Sequence, residues 1–261
     1  MNNRFTKEVD IPDITLNLKS PSQLNLEYKL LDSIDEKIIL DAAECLSEVF
    51  VGIEIAGRKI SEPMIEAIGV SKKDMFDFTL KYLKKLVGDG LSFVALDKRN
   101  NRVVAVIVCD SFDPEEYPPV FKGSLASMNE IMNFFTAIND RFVSTVQFKT
   151  GHRVKRNEYI QIFMAGSRSG KFRGYIIAKL LKLVMDKGRK AGYKGIFVKA
   201  TDSRYAKIFT EYHNFHLVYN KENKPLLKEY SSAEILKKIP PHILKDCKVF
   251  YRALVPHCTL L

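Results

Sequence analysis

The stretch Tyr159-Ile160-Gln161-Ile162-Phe163-Met164-Ala165, then Gly166-Ser167-Arg168-Ser169-Gly170-Lys171-Phe172-Arg173-Gly174, then Tyr175-Ile176-Ile177-Ala178-Lys179-Leu180-Leu181 decides the fold. The first segment is a short apolar run of strand length, ending at Met164 or Ala165. The last begins a helix: Ile176, Ile177, Leu180, Leu181 and Val184 share one face, with Lys179, Lys182 and Lys187 largely outside it. A strand that stops at a glycine and restarts as a helix leaves free backbone N–H groups aimed at one spot. The helix dipole adds positive potential there, and Lys171 and Arg173 add full charges. Such a loop suits phosphate. It also suits an ordinary βα turn, in which the glycines fit the turn and the cations are solvated.

The loop is one residue short of a Walker A spacing, and Phe172 stands where a magnesium-binding Ser or Thr belongs; no GxGxxG occurs. Outward from it, Gly195–Ala200 predicts a strand, Ser203–Tyr212 a short helix, and His216–Asn220 and Val249–Val255 two further strands. On the other side, Leu91–Leu96 and Val103–Val108 are apolar runs joined by Lys98-Arg99-Asn100-Asn101, a hairpin signal. Ser127–Arg141 is helical, and Lys149–Arg156 predicts a basic loop. Nearer the N-terminus, Leu26–Leu31 predicts a strand. Ser33 and Glu36 have capping-box spacing before a helix that runs to about Val51. A helical stretch follows Glu62-Pro63, and another is capped by Ser71. Residues 1–25 predict an extended lead-in and 26–261 one mixed α/β domain.

The 261 residues are 46% hydrophobic, which supports a full core, and carry a formal charge of +10. The basic residues are spread along the chain, which favours a phosphate-bearing small molecule or simple solubility over a nucleic-acid arm. Four scattered cysteines and five histidines have neither disulfide-framework nor metal-ligand spacing, so no metal site is expected. With no signal peptide or spanning apolar run, the sequence predicts a cytoplasmic protein that does not enter membranes.

Phe172-Arg173-Gly174-Tyr175-Ile176-Ile177-Ala178 resembles the acetyl-CoA motif of the GCN5-related N-acetyltransferase superfamily. Arg173, Gly174, Ile177 and Ala178 fit that motif, while Ile176 replaces its first glycine. Glu48-Val49-Phe50, Ser61-Glu62-Pro63, Gly69, the run Asp89–Asp97, the stretch Lys199–Tyr205 and Asn214-Phe215 are similar, in the same order, to elements of the arylalkylamine N-acetyltransferase-like branch. The resemblance covers roughly residues 26–230. It implies a mostly antiparallel, splayed sheet flanked by helices, with acetyl-CoA (CoA) as cofactor. Candidate cofactor contacts are then Ala165, Gly166, Ser167, Arg168 and Lys171, followed by Arg173, Gly174, Tyr175, Ile176, Ile177 and Ala178. A side chain at 176 is expected to crowd the pyrophosphate.

The implied reaction is direct attack of a primary amine on the thioester, with a base to remove the amine proton. Glu62 matches the carboxylate the branch uses as base; it also suits a helix cap, since Pro63 fits the first helical position. Ser203 and Tyr212 are candidates to protonate the leaving thiolate, and Ser203 serves equally as a helix cap. Phe134, Phe135 and Phe142 predict core rather than a substrate box. A small-molecule amine is the expected partner. The alternatives are a catalytically impaired CoA-binding or regulatory protein of this fold, and a basic nucleic-acid-binding protein.

Overall fold

The structure, a computed structural model, describes residues 24–255 apart from 33, 56, 171, 203–205 and 242–243. Strand β1 (Leu26–Leu30) is followed by α1 (Glu36–Val51), whose first turn is capped by Asp35, the Ile38 N–H donating to its carboxylate at 3.3 Å. The cap expected at Ser33 falls on a residue outside those described. After α1 come a small hairpin, β2 (Ile53–Ile55) and β3 (Arg58–Ile60), then α2 (Pro63–Ile68) and α3 (Lys72–Leu86). The hairpin was not expected: three-residue strands are too short to show a period. Ser71 caps α3 as predicted, accepting from Asp74 N–H at 3.0 Å.

The second half holds β4 (Phe93–Asp97), β5 (Arg102–Ser111), α4 (Met128–Thr150), β6 (Tyr159–Ser167), α5 (Arg173–Lys190) and β7 (Gly195–Ala200). It ends with β8 (His216–Leu217), β9 (Leu227–Glu229) and β10 (Asp246–Ala253). Helix α4 continues to Thr150, past the predicted end at Arg141 and into the expected basic loop. Phe142 and Val146 extend its buried stripe, and Gly151 in the left-handed region terminates it. Strand β6 runs two residues beyond Ala165, and the strand expected at 216–220 is only two residues long.

One sheet carries these strands in the order β1-β4-β5-β6-β7-β10-β8, with β9 also on β10. Among the described strands only β6 and β7 run parallel; the other pairs are antiparallel. The predicted mixed, mostly antiparallel sheet flanked by helices is therefore what forms. Strand β5 reads as a continuous apolar run because both its faces are covered. Val103, Val106 and Val108 join the core under α1, α3 and α4, while Ala105, Ile107 and Cys109 join the core under α5. Val104 is an extra residue in the pairing with β4, and this bulge sets the face change. Burying each large aliphatic side chain of α5 contributes about 1.5–3 kcal/mol. Among the described residues, no helix is long and apolar enough to cross a membrane.

Candidate active site

The sheet opens at its centre. Pairing of β6 with β7 stops at Ile162–Val198, and at that point β6 bulges: Met164 pairs with Val108 and Ile162 with Cys109, leaving Phe163 as the extra residue. Beyond the bulge Met164 and Ala165 stay on β5, while Lys199, Ala200 and Thr201 diverge from them. The space between, with α2 and α4 above, is a cavity of about 110 Å³. Glu62 and Arg173 both line it, although 111 positions separate them in sequence. A larger surface groove, about 990 Å³, lies between α1, α3 and the β4–β5 turn and shares no lining residue with the cleft.

Glu62 is placed by local chemistry. Its backbone N–H donates to Phe50 O at 3.0 Å, tying the start of α2 to the end of α1. Its Oε2 accepts from the Ile65 N–H at 2.8 Å, so Glu62 is the cap of α2, with Pro63 at the first helical position. Capping and chemistry do not exclude each other here, because a carboxylate has two oxygens. Oε1 is enclosed and has no hydrogen-bond partner. Burial pushes the carboxyl up to about 7; the Ile65 N–H, the nearby Thr201 hydroxyl and the Met64 N–H oppose this, and Asp202 adds to it. Thr201 is itself pinned through its carbonyl, which accepts from the Tyr230 hydroxyl at 3.0 Å.

At the other wall, α5 begins at Arg173 with no side-chain cap. Its first bonded N–H is that of Ile176, donated to Phe172 O at 3.0 Å. The N–H groups of Arg173, Gly174 and Tyr175 precede any intrahelical acceptor, so this end carries the partial positive charge of the helix.

The remaining predicted contacts fall in different places. Ala165 lines the cleft. Gly166 lies under α1, where a Cβ would come within 3.1 Å of Val49 and 3.2 Å of Leu46, and it permits that approach. The Ser167 hydroxyl is buried and donates to Val104 O at 3.0 Å, while the Arg168 N–H bonds the same carbonyl at 2.9 Å. The Arg168 guanidinium is turned to α1, 2.7 Å from Asp41 and 3.2 Å from Glu48. Its charge is used there, away from the cleft. The Ile176 side chain is fully buried in the core with Ile177 and Leu180. Ala178 follows on the partly exposed side of the same helix. Lys171 and Ser203 lie outside the described residues. Tyr212 is partly exposed in a short π-helical turn and does not line the cleft. Phe134 and Phe142 are core as predicted, but Phe135 lines the cleft.

Lys199, Thr201 and Asp202 were not singled out by sequence as individual site residues. Lys199 Nζ donates to Gln161 Oε1 and to Asn139 Oδ1, each at 2.9 Å, and sits 4.9 Å from the Phe135 ring centroid. The signal available was positional: an alternating strand ending in Lys-Ala-Thr-Asp puts polar groups where its parallel neighbour departs.

No family model and no curated protein matches the chain. Solved structures do. A putative arylalkylamine N-acetyltransferase 7 from the mosquito Aedes aegypti superposes with a TM-score of 0.63 at 18% identity, over 88% of each chain. The C-terminal condensation domain of Ebony, solved with β-alanyl-dopamine, gives 0.59 at 16%, over 88% of this chain and 99% of that one. A Drosophila melanogaster polyamine N-acetyltransferase that forms N-acetylagmatine gives 0.57 at 16%, over 88% and 100%. At such identities the likeness is one of fold: the chain has the fold of the GCN5-related N-acetyltransferases.

Proposed function

We propose that this chain is an acetyl-CoA-dependent N-acetyltransferase that acts on a primary amine. The observation that carries the reading is Glu62. It is a carboxylate with one oxygen capping α2 and one oxygen free, in the same cleft as the uncapped start of α5.

The residues fit the cofactor. The uncapped N–H groups of Arg173, Gly174 and Tyr175 suit a pyrophosphate, with the Arg173 side chain beside them. The gap left where β6 and β7 separate suits a pantetheine arm, and the open edge at Ala165 the thioester. Acetyl-CoA supplies the activated acetyl group. The protein holds the amine and moves its proton. An alkylammonium has no lone pair, so Glu62 attracts the cation and then accepts its proton, directly or through water. A carboxyl whose pKa is raised to about 7 is better matched to this than an ordinary one, because its proton affinity lies closer to that of the amine. Phe135 and Phe163 supply apolar walls for the carbon chain of the acceptor.

With Ile176 in the core, the departure from the motif no longer argues for an impaired cofactor site. The test is thiol release from acetyl-CoA with a panel of primary amines, alongside the thermal shift caused by acetyl-CoA alone. A shift without release for any amine would leave a CoA-binding protein without transferase activity. Neither shift nor release would remove the reading altogether.

A further inference from the structure

A second cavity, about 80 Å³, adjoins the first. The two share Met132, Phe135, Phe163 and Lys199 in their walls, so the acceptor side of the cleft does not end at the Phe163 bulge. At its far end lies Asp110 on β5, directly opposite Gln161 on β6. Asp110 Oδ2 accepts from Gln161 Nε2 at 3.2 Å, but Oδ1 is enclosed and without a partner. The Tyr82 hydroxyl also faces this cavity without a partner; the residue is 7% exposed, and its ring stacks on Phe163 at 4.7 Å.

Two enclosed, unpartnered oxygens beside aromatic rings call for a ligand that donates hydrogen bonds. Charge says which kind. Asp110, Asp113 and Glu116 line the cavity against Lys85 and Lys199. Lys85 is paired with Glu116, and Asp113 with Arg156 at 3.7 Å. Asp89 adds a further negative charge close by, accepting the Ser111 N–H. Lys199 is the opposing charge; its hydrogen bonds go to Asn139 and to Gln161, which lies between it and Asp110. Burial and the neighbouring acids push the Asp110 carboxyl upward, and the attraction of Lys199 only partly offsets this.

We propose that this cavity is a second acceptor subsite, in which Asp110 and Tyr82 take a cationic nitrogen at the far end of an amine whose near end meets Glu62. The proposal rests on the acetyltransferase reading and names its substrate class: long diamines. Gln161 and Ala165, which mark the two ends, are four residues apart on β6 with the Phe163 bulge between them, so the span falls somewhat short of the ~13 Å of a regular strand. An eight-carbon chain has that reach.

The experiment compares three eight-carbon acceptors on the full chain: the α,ω-diamine, the monoamine and the ω-amino acid. The expected kcat/KM for the diamine exceeds that for the monoamine by about tenfold or more, with the amino acid lowest. Asp110→Asn keeps the shape and a hydrogen-bonding partner for Gln161. It should bring the diamine-to-monoamine ratio close to one, and Tyr82→Phe should lower the ratio by about twofold to fivefold. Equal use of diamine and monoamine by the wild type overturns the proposal. So does a ratio unmoved by Asp110→Asn, and so does preference for the amino acid, which would make Lys199 the governing charge. If none of the three is acetylated, the function proposed above fails for these amines. The subsite is then read by calorimetry: the diamine should bind the wild type more tightly than the monoamine and lose that advantage in Asp110→Asn, and equal binding overturns it.

Discussion

Two charged regions flank the end of β6, and they treat their charges in opposite ways. On the α1 side Arg168 lies between Asp41 and Glu48, and Glu48 also meets Lys72 at 3.0 Å. In the cleft, Glu62 and Arg173 stand on different walls, yet among the described residues neither has an ion-pair partner. Five positions separate the two arginines. The paired set fixes the loop to α1; the unpaired set leaves an enclosed carboxylate with a raised proton affinity and a cation facing open space. Enclosed charge without a partner destabilises a fold, so where it persists it marks the place where a ligand or a proton supplies what is missing.

Breaking the paired side should have the largest effect. Arg168→Ala leaves Asp41 and Glu48 without their shared cation. A loss of about 3 kcal/mol in stability is expected, at the low end for a broken buried pair because both carboxylates keep some water. Urea denaturation checks it. If the loss is nearly zero, the network is ornamental and the contrast with the cleft disappears.

On the unpaired side, Glu62→Gln keeps the cap on Ile65 and removes the base. With a working amine, kcat/KM near neutral pH should fall by about 10²-fold or more. The wild-type rate should rise as pH passes through about 7, where the Glu62 carboxyl gives up its proton. In the mutant that rise should be absent, and the deficit should shrink at high pH, where free amine is abundant. The stability change has the opposite sign. A carboxyl raised from its ordinary value of about 4.3 binds more protons folded than unfolded between that value and about 7, so its contribution to stability falls over this window as pH rises. Glu62→Gln should therefore be more stable than the wild type above pH 7, by about 1–3 kcal/mol, whereas Arg168→Ala is less stable. Wild-type turnover across the whole pH range in Glu62→Gln would reduce Glu62 to a cap.

Arg173→Glu sharpens the comparison from the cofactor side. It should abolish the rise in Tm produced by saturating acetyl-CoA, a stabilisation of about 2.7 kcal/mol at a hundredfold excess over Kd, while the ligand-free protein melts near the wild-type temperature. An undiminished shift would place the phosphates elsewhere. The smallest effect is expected at Ile176→Val, which trims a methyl group from the core: about 0.5–1.5 kcal/mol of stability, with acetyl-CoA affinity unchanged. A large affinity change there would return Ile176 to the phosphate site.

Much of this protein is readable along the chain. The β6–loop–α5 unit, the β4–β5 hairpin, the Ser71 cap and the Glu62-Pro63 helix start all depend on neighbours within a few residues, through period, capping and turn chemistry. These signals lie next to the residues they control. The position of Glu62 at a helix start was legible for that reason, and so was the buried face of α5.

Other features depend on residues brought together from distant parts of the chain. Arg168 and Arg173 look alike in sequence, and only the arrival of α1, more than a hundred residues upstream, uses up the first. Phe134 and Phe135 are adjacent on α4, and the angle at which that helix meets the sheet sends one into the core and the other into the cleft. Asp110 acquires Gln161, and Tyr82 acquires Phe163, through strand register and a one-residue bulge that no local pattern announces. Sequence by itself determined most of the elements, because those follow from local hydrogen bonding and periodic burial. Which charges stay free, and so what the cleft can do, was decided by tertiary packing, because a charge is paired or left free by whatever the rest of the fold sets beside it.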